Sequence, residues 1–154
     1  MAINASSSMS ARQGKVGVFP RTYCLPLPEL LELRPALATG VRVPALIGKV
    51  LSGGPYTMNQ IVPKSALKIT SGGEPAVYSY KGDSGNDVNC YYCPKCTTHI
   101  YHHQTVMGPD TVVARTGIPV EARKKFPIAA EIYGKDKMSW EPKIAETFDV
   151  LPPS

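Results

Sequence analysis

Fifteen prolines are spread along the 154 residues from Pro20 to Pro153, and this constrains the fold more than any other feature. Proline has no amide hydrogen and a fixed φ, so it breaks helix interiors and is confined in sheets to edges and strand ends. Together with 13 glycines this predicts short elements joined by many turns, without long helices. Apolar residues make up 43% and charged residues 19%, a globular balance rather than that of a disordered chain. The length suits a single compact domain. Residues 1–13 are small and polar and are expected to form a disordered tail ahead of one domain spanning 14–154.

The stretch after Pro55 consists of short β-branched and aromatic runs separated by turn residues, the pattern of an antiparallel sheet protein. "YTMNQIVP", "ALKIT", "AVYSYKG", "TVVARTG" and "FPIAAEIYG" are predicted strands, "SGGEP" and "GDSGND" turns, and "SWEPK" begins a proline-bounded tail. "VNCYYCPKCTTHIYHH" is predicted to run strand, tight turn, strand. Between Gly14 and Pro55 no strong period emerges. "GKVGVF" suits a short strand, and the leucines of "PELLELRPALA" have a loose helical spacing that Pro28 and Pro35 limit to a turn or two. The fold class is therefore mainly β.

The net charge of +5 and a pI near 9.0 permit attraction to phosphate, but the basic residues are scattered. Only Arg123-Lys124-Lys125 forms a run, which reads as a solvated surface. Tyr91, Tyr92 and Tyr101 near Lys95 could stack on bases, but tyrosines on a β-hairpin more often pack. No specific nucleic-acid binding is expected. No stretch approaches the roughly 18 apolar residues of a membrane span, so no membrane partner is expected and the reading is a soluble, cytoplasmic protein. Arg12, Lys15, Arg21 and Ser6-Ser7-Ser8 all precede the first acidic residue, Glu29. That is the composition of a mitochondrial transit peptide, which stands as the alternative.

Three of the four cysteines and all three histidines lie between Cys90 and His103. A C-x-x-C turn folds two sulfurs to one side and can supply half of a tetrahedral zinc site, and Cys93-Pro94-Lys95-Cys96 has that form. Two reduced thiols at a turn are the alternative. A redox pair is disfavoured because the low thiol pKa it needs normally comes from a helix N-terminus. Cys90, three residues before Cys93, should point to the opposite face of an extended strand. The adjacent His102 and His103 cannot both face one metal.

From "SGGPYTMNQIVPKSALKIT" through "YSYKGDSGNDVNCYYCPKCTTHIY" to "PIAAEIYGKDKMSW" the chain resembles the glutathione-dependent formaldehyde-activating enzyme family, which includes centromere protein V. The resemblance is strongest over residues 52–140 and is carried by Ser52-Gly53-Gly54 with Tyr56, the "YSYKGDSGN" turn, Cys93, Cys96 and Trp140. It implies an antiparallel β-tent fold with a zinc-ribbon-like hairpin. It also implies carbon-sulfur lyase chemistry in which glutathione and formaldehyde combine reversibly. In the family pattern an early C-x-C and the late C-x-x-C bind a structural zinc, while a C-x-C-x-x-C trio binds a catalytic one. Here the trio falls on Val43, Ala45 and Gly48, which offer no ligand, and Thr97 stands where glycine usually follows the last cysteine. The expectation is one structural zinc held by Cys24, Cys93 and Cys96, with Cys90, a histidine or water completing the set. Catalytic residues stay unassigned.

Two functions follow from the resemblance. One is a carbon-sulfur lyase acting on a glutathione or small thiol adduct, a reading that the family pattern favours and the missing trio opposes. The other is a non-catalytic, zinc-stabilised module that binds a ligand or a protein.

Overall fold

The computed structural model describes residues 31–33, 40–70, 72–118 and 127–153, the first of these as backbone. The expected tail, the "GKVGVF" strand, Cys24 and the Arg123-Lys124-Lys125 run lie outside the described residues. Ten strands and one α-helix are described: β1 Leu31–Leu33, β2 Gly40–Val43, α1 Leu46–Ser52, β3 Thr57–Pro63, β4 Leu67–Ile69, β5 Ala76–Lys81, β6 Asp87–Tyr92, β7 His99–Gln104, β8 Thr111–Arg115, β9 Ile128–Glu131 and β10 Glu146–Thr147. The chain is mainly β, and no helix among the described residues is long and apolar enough to cross a membrane.

Eight strands form one sheet in the order β10-β9-β2-β3-β8-β7-β6-β5, and β1 pairs with β4 in a separate two-stranded sheet. The strands expected after Pro55 all form. The larger sheet is mixed rather than purely antiparallel, because β9 runs parallel to β2 and β10 parallel to β9. Those strands are reached by long connections, which allow parallel pairing where a tight hairpin would not. Two further expectations are corrected. The leucines of "LEL" form β1, whose register sets Leu31 opposite Ile69 and Leu33 opposite Leu67, instead of a helical turn. A segment bracketed so closely by prolines cannot offset the cost of nucleating a helix. The proline-bounded tail also contributes β10 and is packed rather than trailing, with Phe148 N–H donating to Glu131 O at 2.8 Å. That close approach requires Gly134, where any Cβ would collide with Thr147.

Strand alternation gives the large sheet two unlike faces. One carries the apolar cluster of Val62, Cys93, Ile100, Tyr101, Val112, Ala114 and Ile118, with Leu67, Ile69, Tyr91 and Cys96 packed against it. Tyr91 and Tyr101, paired across β6 and β7, stack with ring centroids 4.3 Å apart. The other face borders a cavity. α1 sits beside it, ending at Gly53, whose φ of 67° is the left-handed conformation of a helix stop and whose N–H donates to Lys49 O at 2.8 Å.

Arg42 on β2 anchors a buried charge network. Its Nη1 donates to Glu131 Oε1 at 2.6 Å and to Pro142 O at 3.0 Å, its Nη2 pairs with Glu141, and its guanidinium stacks over the Tyr56 ring at 4.0 Å. Lys137 Nζ and Thr147 Oγ1 donate to Glu131 Oε2 at 2.8 and 2.6 Å. Two cations and two carboxylates balance, which is what makes such burial tolerable. Burial alone would push the Glu131 carboxyl upward; the Lys137 and Thr147 hydrogen bonds, the Lys137 charge and the Arg42 hydrogen bond outweigh it and hold the group down at about 2.

Candidate ligand cavity and cysteine turn

The C-x-x-C segment closes the β6–β7 hairpin. Thr97 N–H donates to Cys93 O at 2.8 Å, and Cys93 N–H donates to Thr98 O at 2.9 Å. Thr97 stands at φ 58°, a left-handed conformation where glycine would be unstrained. The turn thus has the backbone course that a glycine would adopt freely, with a threonine in the strained place. Cys93 is buried in the apolar cluster and Cys96 is half-buried against it, with Cys96 Sγ 3.1 Å from Thr98 Oγ1. Two soft sulfur donors on one closed turn fit half of a tetrahedral zinc site. Among the described residues no third histidine, cysteine or carboxylate joins them in a metal-ligating group.

Cys90 lies on the other face. It pairs directly with His102 across β6 and β7, and both line the cavity, which measures about 670 Å³. A register shift near Tyr91 gives β7 one extra residue, so His99 and His102 come together, their ring centroids 5.9 Å apart. His103 points elsewhere, its Nε2 2.8 Å from Gly108 O. As alternation required, the two adjacent histidines do not share a site. Val43, Ala45 and Gly48 line this same cavity, with Thr57, Asn59 and Tyr80. Gly48 is buried on α1, and a Cβ there would meet Thr57 Oγ1 at 3.4 Å.

Arg115 at the end of β8 was not singled out from the sequence, and it is the principal charge on this wall. Its Nη1 donates to Asn59 Oδ1 at 2.8 Å and its Nη2 to His99 Nδ1 at 3.1 Å. Because arginine only donates, His99 Nδ1 is the acceptor and its Nε2 carries the proton, buried without an acceptor. Burial and the Arg115 charge depress His99 to about 4. Burial, Arg115 and His99 depress His102 to about 3. Both imidazoles are therefore neutral near pH 7. Burial also raises the Cys90 thiol, an effect that Arg115 only partly opposes, and it pushes the Tyr80 hydroxyl up to about 12. This part of the wall offers neutral thiol, phenol and imidazole groups around the Arg115 cation, while Lys81, Asp83 and Asp87 carry the charges elsewhere on the cavity lining. The signal for Arg115 lay in "TVVARTG", where strand alternation sets it on the same face as Val113.

The positions gathered from the sequence thus divide. Cys93 and Cys96 sit together on the cluster face, Cys90 sits with His102 on the cavity face, and Cys24 lies outside the described residues. Over residues 48–136 the sequence matches the family model described as glutathione-dependent formaldehyde-activating enzyme. No curated protein matches the chain. The match opens at Gly48, just after Val43 and Ala45, and closes just before Lys137, Glu141 and Thr147 of the buried charge network.

Proposed function

The chain belongs to the glutathione-dependent formaldehyde-activating enzyme family, and from that premise we propose that it binds glutathione or a small thiol adduct in the cavity without lyase turnover, its β-tent fold stabilised by one zinc ion. The observation that carries this reading is the character of Val43, Ala45 and Gly48. They stand on the cavity wall where the family resemblance puts the trio of catalytic zinc ligands, and they present no donor atom. A zinc that activates a thiol needs three protein ligands and one open position. The donors on this wall do not replace the trio, because no metal-ligating group of three forms among the described residues.

The structural zinc is a separate matter. Cys93 and Cys96, on the zinc-ribbon-like hairpin, would hold it with Cys24 as a third ligand. Cys90 could join only if β6 carried its side chain through the sheet. Bound there, zinc supplies folding energy and no chemistry to the cavity. Apolar walls such as Val43, Ile61 and Val113 would shield an adduct from water, while Asn59 and Tyr80 offer polar contacts.

The test measures exchange between glutathione and formaldehyde by NMR exchange spectroscopy, with and without protein, alongside zinc content by elemental analysis. Exchange at the uncatalysed rate and at most one zinc per chain are expected. Acceleration proportional to protein and abolished by chelation, or two zinc ions per chain, would restore the enzyme. Cysteines introduced at positions 43, 45 and 48 should bring back a second zinc and some exchange activity. The Gly48→Cys member of that set meets ordinary packing distances at Thr57.

A further inference from the structure

Arg115 is half-buried on the cavity wall, and both of its hydrogen-bond partners, the Asn59 amide and the His99 imidazole, are neutral. No carboxylate among the described residues lies within ion-pair distance of it, whereas the buried Arg42 is matched by Glu131 and Glu141. Lys81, also on this cavity, is exposed at the rim and already paired with Asp87 at 2.7 Å. A cation held in an apolar wall without a counter-ion is costly, and a guanidinium binds a carboxylate in charge-assisted, bidentate fashion. Its neighbourhood is also rich in donors and poor in acceptors: His99 Nε2 and His102 Nδ1 are buried with no partner.

We propose that Arg115 is the anion anchor of this cavity, so that the ligand is a small molecule presenting a carboxylate to it from an apolar or thioether body rather than a neutral thiol. One cation, with two of its N–H donors already engaged by Asn59 and His99, matches a monoanion better than a phosphate dianion. The inference rests on the family reading only for the identity of that body. Asn59 is the positioning residue, since its amide oxygen fixes one end of the guanidinium.

The experiment is isothermal titration calorimetry of the full chain with two acid and neutral pairs: S-methylglutathione against its diethyl ester, and butanoate against butanol. None of these probes can undergo thiol addition, so the readout is independent of any lyase step. The wild-type chain is expected to prefer each acid by about tenfold or more, and Arg115→Met should erase that preference. Arg115→Lys should keep part of it. Asn59→Asp, near-isosteric and carrying its own carboxylate to the guanidinium, should weaken acid binding about tenfold. Binding of butanoate through Arg115 without binding of S-methylglutathione would sustain the anchor and remove the glutathione reading. Equal binding of acid and ester, undisturbed by Arg115→Met, would sustain the glutathione reading and overturn the anchor. Failure of both acids to bind at millimolar concentration also overturns it.

Discussion

β6 serves two regions that share a backbone and differ in almost everything else. On one side of the sheet its continuation delivers Cys93 into a dry cluster beneath a tight turn; on the other, three residues earlier, Cys90 faces a cavity with Arg115 and His102. The turn keeps the features a metal half-site needs, down to the left-handed residue after the second cysteine. The cavity holds a cation, but the positions expected to hold a catalytic metal carry Val43, Ala45 and Gly48. A turn that contributes to folding free energy is kept in place by stability itself. Ligands that serve only chemistry can be replaced by small apolar residues at little cost to the fold. The comparison therefore separates two roles that a bare count of cysteines would merge.

The largest expected effect lies at the turn. Zinc binding contributes on the order of 10 kcal/mol in small zinc modules and less where a core already exists. With the proposed structural zinc in place, Cys96→Ser should abolish its binding and lower the melting temperature by several degrees or prevent soluble expression, whereas Cys90→Ser should leave zinc content unchanged. Elemental analysis and thermal melts of the two variants check this. A Cys96→Ser protein that melts like the parent would make the turn merely two thiols and dissolve the contrast.

Next in size is the clasp on β2, the strand that also carries Val43. Arg42→Met would leave Glu131 and Glu141 buried with only Lys137 to compensate. Losing one partner of a buried ionic network costs about 3–5 kcal/mol. Denaturant unfolding should show that loss even in chelator-treated protein, because the clasp holds the cavity strand independently of the cysteine turn. A loss that appears only in the zinc-bound form would couple the two regions.

Much of this was legible in the sequence, for reasons that differ by element. The strands after Pro55 are short, alternating and bounded by glycine and proline, so local pattern and final structure agree. The opposite placement of Cys90 and Cys93 follows from strand alternation alone. The Arg42 network could not be read, since its partners lie 89 and 99 residues away and nothing local marks them. α1 was also hidden: "LIGKVLS" has a glycine within it and no side-chain cap, and Leu46 and Val50 remain exposed, so no buried stripe appears in the pattern. Nothing local marks Arg115 either, because the neutrality of its partners Asn59 and His99 is set by strands distant in sequence.

Acid should distinguish the cavity face from the clasp by the pH window in which each loses stability. His102 is held at about 3 against an ordinary 6.5 and His99 at about 4, so both enter the fold neutral. Their contribution is complete above about pH 6.5 and declines as pH falls toward those values, because the unfolded chain takes up protons that the folded one refuses. Glu131, depressed from 4.5 to about 2, contributes stability that is complete above about pH 4.5 and is lost only as pH falls from there toward 2. From pH 6.5 to 4.5 the decline should therefore come from the histidines, up to about 1.4 kcal/mol per pH unit for His102. Urea unfolding of wild type and His102→Asn across that range should show a shallower slope in the variant. Parallel slopes would mean that His102 is not buried neutral.

The smallest effect returns to the turn and asks whether its geometry is maintained against local preference. Thr97 is β-branched and sits at φ 58°, a conformation that costs an L-residue roughly 1–2 kcal/mol and glycine almost nothing. Glycine also loses more freedom on folding, by roughly 0.5–1 kcal/mol, and Thr97→Gly removes the hydroxyl that donates to Cys96 O at 2.7 Å. That hydroxyl is exposed and can exchange the bond for water, so relief of strain should prevail, with a net gain below about 1 kcal/mol and a rise in melting temperature of about 2–4 °C at most. Thr97→Ala, which removes the hydroxyl but keeps a Cβ in the left-handed region, should show no such rise. If Thr97→Gly proves destabilising while Thr97→Ala is neutral, the turn does not hold its left-handed residue under strain, and its likeness to a metal knuckle would rest on Cys93 and Cys96 alone.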